Sequence, residues 1–342
     1  MSLRAVTYRR KTLAQAGGKR YLFNGPRTGR QTSFANRDIR AKITPAVRRS
    51  LIPPRFVEFH SEVRMTRYEC PRTLADAVHL LSEEGGTLLA GGTDFYPALG
   101  DHAPNGTVID ISRIREMKGI AVAENETRIG GLTTWKELLA TSLPPCYEGL
   151  KSAAREIGGI QIQHRGTVAG NLCNASPAAD SVPPFLCLDA EVELRSQAGL
   201  RRMGLSEFIV GNRKTCRRPD EILTAVIVPR EVDNAASVFV KLGARRYLVI
   251  SVVMVAAIIA TNSGLVSEAR VAVGACSERA KRLPALEEVL TGAPAKAGIG
   301  TMVKPEHLPL SPIDDVRATA SYRRDAALTL VKRALEACVG NG

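Results

Sequence analysis

The chain has 342 residues, enough for two or three compact units with a sizeable core, and its 44 % hydrophobic content is that of an ordinary folded protein. Its formal charge is +13, but residues 1–55 hold fourteen Arg or Lys and a single acid, Asp38, so the excess sits in an N-terminal arm and the remainder is neutral; nucleic-acid binding by the body has no electrostatic support. No stretch approaches the roughly 18 apolar residues of a spanning helix, and the basic start lacks the long apolar region of a secretory leader, so a cytoplasmic location is the expectation.

Residues 1–64 are rich in Arg, Gly, Ser, Asn and Pro and read as a flexible basic extension. It is either dispensable, with Met65 opening the folded part, or an anchor for an acidic partner. From Met65 the pattern becomes regular. Arg67 to Glu69 suits a short strand. Thr73, with Asp76 three residues on, caps a helix whose apolar face is Leu74, Ala77, Val78 and Leu81, and Gly85-Gly86 ends it. Thr87 to Ala90 is a short strand running into Gly91-Gly92-Thr93-Asp94. Thr107 to Ile111 and Thr127 to Ile129 are further strands, and Thr134 with Glu137 forms a second capping box.

Ser152 to Ile157 reads as helix and leads into a Gly-rich segment, Gly158 to Ala179. Ala190 to Leu194 alternates as a strand, Leu205 to Phe208 is a short helix, and Ile222 to Val228 a strand. The character changes near Pro229 to Ala236. Beyond it lie a strand at Ser237 to Leu242, the apolar run Tyr247 to Ala260 (expected to be a buried helix or strand-helix element), a strand at Glu268 to Ala275, a short helix at Leu286 to Leu290 and a final helix from Arg317.

Two segments carry chemistry. In Leu88 to Gly100 a strand ends in two glycines and a hydroxyl residue; glycine lets backbone N–H groups approach an anion such as a pyrophosphate. It is neither the Rossmann GxGxxG nor a P-loop. In Ile157 to Asp180, Gly158-Gly159, Arg165, Gly166-Thr167, Gly170-Asn171, Ser176-Pro177 and Asp180 cluster, a composition suited to wrapping backbone around a large polar ligand. Asn171 offers amide donors and an acceptor, Asp180 an acceptor for hydroxyls, and Arg165 a cation for a phosphate or an acid. The seven cysteines are scattered with no CxxC, and the five histidines are dispersed, so the chain offers no iron–sulphur or zinc pattern of its own.

Together the two segments resemble the FAD subunit of the xanthine dehydrogenase and carbon monoxide dehydrogenase family. The matches are Gly91-Gly92-Thr93-Asp94, Gln161-Ile162, Gly166-Thr167, Gly170-Asn171, Ser176-Pro177 and Asp180. Leu188-Asp189-Ala190, Lys241 with Arg246, Ala269 to Gly274, and Asp315, Arg317, Tyr322-Arg323 and Arg333-Ala334-Leu335 extend the resemblance to the C-terminus. It implies an α+β protein. A two-lobed FAD-binding domain of the methylhydroxylase type would occupy 65–233, and a small α+β domain of the CO dehydrogenase flavoprotein type 234–342.

FAD would lie between lobes. The diphosphate would meet Leu89, Ala90, Gly91, Gly92, Thr93 and Asp94 on one side and Gly166, Thr167, Gly170 and Asn171 on the other. Asp180 would face the flavin or ribityl, with Asn174, Ser176 and Lys241 nearby. A large molybdopterin-binding subunit and a small subunit with two [2Fe-2S] clusters are the implied partners. This chain would then take electrons from the small subunit and deliver them to NAD+, a quinone, oxygen or another carrier, with no catalytic acid or base of its own.

Three departures from the family pattern stand out. Gln163-His164 replace the usual Arg-Asn, Ala169 replaces a glycine, and no cysteine cluster provides for the extra [4Fe-4S] cluster of some relatives. The competing readings are a standalone flavin oxidoreductase of the same fold and an assembly or nucleic-acid protein that uses the basic arm.

Overall fold

The computed structural model describes residues 12–16, 19–23 and 66–340. Within the N-terminal unit, Thr12–Ala16 (β1) and Lys19–Phe23 (β2) pair as an antiparallel hairpin with Thr12 opposite Phe23 and Ala16 opposite Lys19. That is regular structure where the composition suggested an irregular extension; the rest of that reading falls outside the described residues.

The second unit begins with a small parallel sheet. Arg67–Glu69 (β3) leads to the helix Leu74–Glu84 (α1), with the Thr73 side chain accepting from the Asp76 N–H and Gly85 ending the helix at φ 64°. Thr87–Leu89 (β4), the helix Phe95–Leu99 (α2) and Thr107–Asp110 (β5) follow, and β5 lies between β3 and β4. Ala77, Val78 and Leu81 of α1 pack on Ile109, Ile111 and Met117, giving this lobe its own core. Parallel pairing requires a crossover between strands, and α1 and α2 supply it.

The next lobe is antiparallel. Ile120–Val122 (β6) and Glu126–Gly130 (β7) precede the helices Trp135–Ala140 (α3), Glu148–Glu156 (α4), Ile160–Gln163 (α5), Val168–Asn174 (α6) and Val182–Cys187 (α7). Glu191–Ser196 (β8), Gly199–Gly204 (β9), the short helix Leu205–Phe208 (α8) and the hairpin Ile209–Gly211 (β10) with Lys214–Thr215 (β11) come next, and Ile222–Pro229 (β12) completes the lobe. The sheet order is β6-β7-β12-β8-β9, so the last strand enters the centre. Its residues from Ile222 to Val228 are all buried, as a central strand covered on both faces should be.

The C-terminal part is a meander of Ala236–Leu242 (β13), Val253–Asn262 (β14), Leu265–Gly274 (β15) and Lys281–Arg282 (β16), with the helices Pro284–Leu290 (α9) and Ala320–Gly340 (α10) against it. The helical reading of Tyr247 to Ala260 is corrected here: its second half is β14, paired with β13 on one side and β15 on the other. A strand buried on both faces loses the polar–apolar alternation that distinguishes it from a buried helix, and the β-branched Val252, Val253, Val255, Ile258 and Ile259 were the better guide. Tyr247, Leu248 and Ile250, expected to be buried, are exposed. The core of the middle lobe extends through Phe185 and Cys187 to Ala256, Ile258 and Ala272 of β14 and β15, so the meander and the antiparallel lobe share buried surface.

Candidate functional site

A cavity of about 860 Å³ opens between the parallel lobe and the antiparallel lobe. One wall is the turn from β4 into α2. Strand pairing ends at Leu89, whose carbonyl still accepts the Ile111 N–H at 2.9 Å, and Ala90 to Asp94 then swing across the cavity mouth. Gly92 adopts φ 75°, and an added Cβ there would press on the Tyr96 ring at 2.8 Å. Gly91 packs so closely on the Arg165 carbonyl oxygen that any Cβ would collide with backbone. Among the described residues no protein acceptor meets the N–H groups of Gly91, Gly92 or Thr93.

The facing wall is the segment Gly166 to Asn174. Its register is set by backbone bonds to the strand exit at Gly131 to Trp135: Val168 N–H donates to Thr133 O at 2.9 Å, Ala169 N–H to Gly131 O at 3.0 Å, and Trp135 N–H to Gly166 O at 3.2 Å. Thr167 then starts α6, its hydroxyl accepting the Gly170 N–H at 3.1 Å. The Gly-rich stretch is therefore more ordered than its composition suggests, because α5 and α6 are folded into it and Val168, Ala169 and Leu172 bury an apolar face. Ala169 sits within α6 and is not among the residues with positive φ, so the exchange from glycine introduces no backbone conflict.

Ala90, Gly91, Gly92, Thr93, Asp94, Gly166, Thr167, Gly170, Asn171 and Asn174 all line this cavity. Leu89 and Ser176 do not: Leu89 is buried behind the turn, and the Ser176 hydroxyl accepts the Ala178 N–H at 3.3 Å. Asp180 and Lys241 lie elsewhere as a buried pair. Lys241 Nζ is 2.6 Å from one carboxylate oxygen of Asp180, and Ser251 donates its hydroxyl to the other at 2.6 Å. Burial pushes the Asp180 carboxyl above its ordinary value, and Lys241 and Ser251 act in the opposite direction. Lys241 lines a second cavity of about 390 Å³ with Glu156, Arg245 and Arg246. Arg165 turns its carbonyl to Gly91 but does not line the main cavity, and His164 is exposed outside it.

Several lining residues were not singled out from sequence. Apolar ones are Ile111, Trp135, Val210 and Leu223; polar ones are Arg213, Lys214 and Thr215 on the β10–β11 hairpin and Arg217 just after it. The available signal was the cationic run Arg213 to Arg218 interrupted by Thr215 and Cys216, beside a lone tryptophan earlier in the chain. Cys173 also faces the cavity; burial pushes its thiol up to about 11, which keeps it neutral. Apolar lining residues, open backbone donors and an excess of cations over the single carboxylate of Asp94 fit a large ligand with a ring system and a diphosphate.

Comparison with known proteins agrees with that geometry. Residues 61–231 match the family described as FAD binding domain in molybdopterin dehydrogenase, and residues 239–338 match the CO dehydrogenase flavoprotein C-terminal domain. The chain is 32 % identical over 278 residues to the xanthine dehydrogenase FAD-binding subunit of Escherichia coli O157:H7, covering 80 % of this chain and 95 % of that protein. The chain belongs to the FAD-binding subunits of the molybdenum hydroxylase family.

Within that family it is also 34 % identical over 234 residues to the nicotinate dehydrogenase FAD-subunit of Eubacterium barkeri, covering 66 % of this chain and 79 % of that one. A solved carbon monoxide dehydrogenase from Hydrogenophaga pseudoflava superposes with a TM-score of 0.73 at 26 % identity, over 80 % of this chain and 96 % of its counterpart. The α+β architecture and the oxidoreductase class expected from the sequence are thus those of the family. Among the described residues no cluster of His, Cys, Asp or Glu is placed to hold a metal ion, and no helix is long and apolar enough to cross a membrane.

Proposed function

We propose that this chain holds FAD in the cavity between its lobes, takes electrons from a [2Fe-2S] partner and passes them to an external acceptor. The observation that carries the reading is the glycine cradle: Gly91 touches the backbone of the opposing wall where a Cβ would not fit, and the neighbouring N–H groups meet no acceptor among the described residues. Backbone donors so placed stabilise a diphosphate without a desolvated side-chain charge. FAD suits the position because it accepts electrons singly and releases them in pairs.

The residues then divide by task. Ala90 to Asp94 and Gly166 to Asn171, with Asn174, bind and orient the dinucleotide, and Leu89 supports the turn from behind. Trp135, Ile157, Ile162 and Leu223 offer apolar walls that exclude water from the ring systems. Asp180 and Lys241 enter as one unit with Ser251, a paired charge carried partly by the C-terminal domain, and Ser176 braces the segment before it. No side chain needs to move a proton for electron transfer, so no catalytic acid or base is assigned.

The proposed division is an extension at 1–64, the FAD-binding domain at 65–233 and the C-terminal domain at 234–342. The proposed partners are a large molybdopterin-binding subunit and a small subunit with two [2Fe-2S] clusters, in the cytoplasm. Relatives named as FAD-binding subunits, a medium subunit and a medium chain support an assembly of several chains. The test is purification of the native assembly with absorbance spectra and metal analysis. Molybdenum, iron and flavin in one complex support the reading. A flavin-loaded chain that purifies alone and oxidises an organic substrate would replace it with a standalone flavoenzyme.

A further inference from the structure

We propose that Arg213, at the tip of the β10–β11 hairpin, is a cofactor-binding residue that holds the dinucleotide's diphosphate from the side opposite the glycine turn. The inference rests on the FAD reading above and adds a residue to it. Gly211 pairs with Lys214, so Asn212 and Arg213 form a two-residue loop. Arg213 has φ 54°, a left-handed backbone that penalises any residue with a Cβ and normally selects glycine or asparagine at the second position of such a turn. Its N–H donates to the carbonyl of Ala175 at 2.9 Å, and Ala175 is itself left-handed at φ 45°. Two uncommon conformations therefore lock each other in place, and what they secure is the position of one guanidinium.

Arg213 lines the cavity. It donates to Asn174 Oδ1 at 2.6 Å, which uses one of its five N–H donors and fixes its direction from the end of α6. Among the described residues no carboxylate forms an ion pair with Arg213 or Lys214, whereas three other arginines of this lobe are paired: Arg128 with Glu193, Arg201 with Glu221, Arg202 with Glu126. The third cation of the wall, Arg217, is occupied differently, its Nη1 donating to the carbonyls of Arg218, Pro219 and Glu221. Arg213 thus combines a fixed direction, spare donors and, among the described residues, no counter-charge. Its planar fork matches a phosphate oxygen pair better than the point charge of Lys214.

The full chain, stripped of flavin, is titrated with FAD and separately with ADP, and the melting temperature of the stripped protein is recorded, for the native sequence, Arg213→Asn and Arg213→Lys. Asparagine tolerates the left-handed backbone, so a folding defect is not built into that variant. The expected result is that Arg213→Asn weakens FAD and ADP alike by about tenfold or more, as loss of a charge-assisted hydrogen bond does, while the melting temperature holds or rises. Arg213→Lys should recover part of the loss. Native-like FAD binding by Arg213→Asn would overturn the proposal and leave the FAD reading standing. So would a loss confined to FAD with ADP unchanged, or a lowered melting temperature accompanying the loss, which would make the Asn174 bond structural only. A native chain that takes up no FAD would remove the reading itself and the proposal with it.

Discussion

The cavity wall and the Asp180–Lys241–Ser251 cluster both concentrate polar groups, yet they are built in opposite ways. In the cluster every charge has an internal partner: Lys241 and Ser251 take one carboxylate oxygen each, and both ionic side chains are under one-tenth exposed. In the wall, the N–H groups of the Gly91 turn and the guanidinium of Arg213 have donors to spare, and the backbone at Gly92, Ala175 and Arg213 is held left-handed. A satisfied buried network specifies one packing arrangement, whereas a preorganised surface of unused donors is what a ligand completes. Asp180 closes the same Gly-rich segment that supplies one cavity wall, and the structure separates the two.

The comparison can be broken first where its expected effect is largest. Asp180→Ala leaves the Lys241 ammonium buried without its counter-charge and should cost about 3–5 kcal/mol of stability, read as a fall in the denaturation midpoint. A midpoint close to native would show the cluster to be open to water. Gly92→Asp adds a left-handed Cβ against the Tyr96 ring and a negative charge beside the donors. It should weaken FAD binding by about a hundredfold or more, and stoichiometric flavin in that variant would remove the turn from the site.

Two smaller effects sharpen the contrast. The Glu221 carboxyl is held below its ordinary value of 4.5 chiefly by its hydrogen bond to Arg201. A carboxylate depressed on folding contributes stability that is present above the unfolded value and lost as the pH falls through the folded one. Acid titration of the melting temperature should therefore decline below about pH 5, and Glu221→Gln should flatten that decline. An unchanged slope would discount the pair. Ala169→Gly places a glycine inside α6. It should cost at most about 1 kcal/mol from helix propensity and leave FAD affinity as it was; a marked gain in affinity would mean that the alanine crowds the cofactor.

Much of this was legible because backbone requirements leave marks in sequence. The Thr73 and Thr134 caps, the Gly85 stop and the glycines of both cavity walls are local demands, and each was read in its place. Asp180 and Lys241 were read as neighbours of the cofactor, but whether their charges face a ligand or each other depends on how β13 meets the segment just before α7, which is a tertiary fact. The Arg213 hairpin was missed for a related reason: its turn carries an arginine where turn chemistry calls for glycine, so the local signal was weakened by the very residue that faces the cavity. The run before β14 failed because uniform apolarity does not discriminate a doubly covered strand from a buried helix.

The most direct test of the central claim is the flavin content of the full chain, measured by absorbance after purification in parallel with Gly92→Asp. The account predicts stoichiometric FAD on the native chain and essentially none on the variant, both folded by circular dichroism. A native chain without flavin, or a variant that keeps it in full, would contradict the placement of FAD between the two glycine walls.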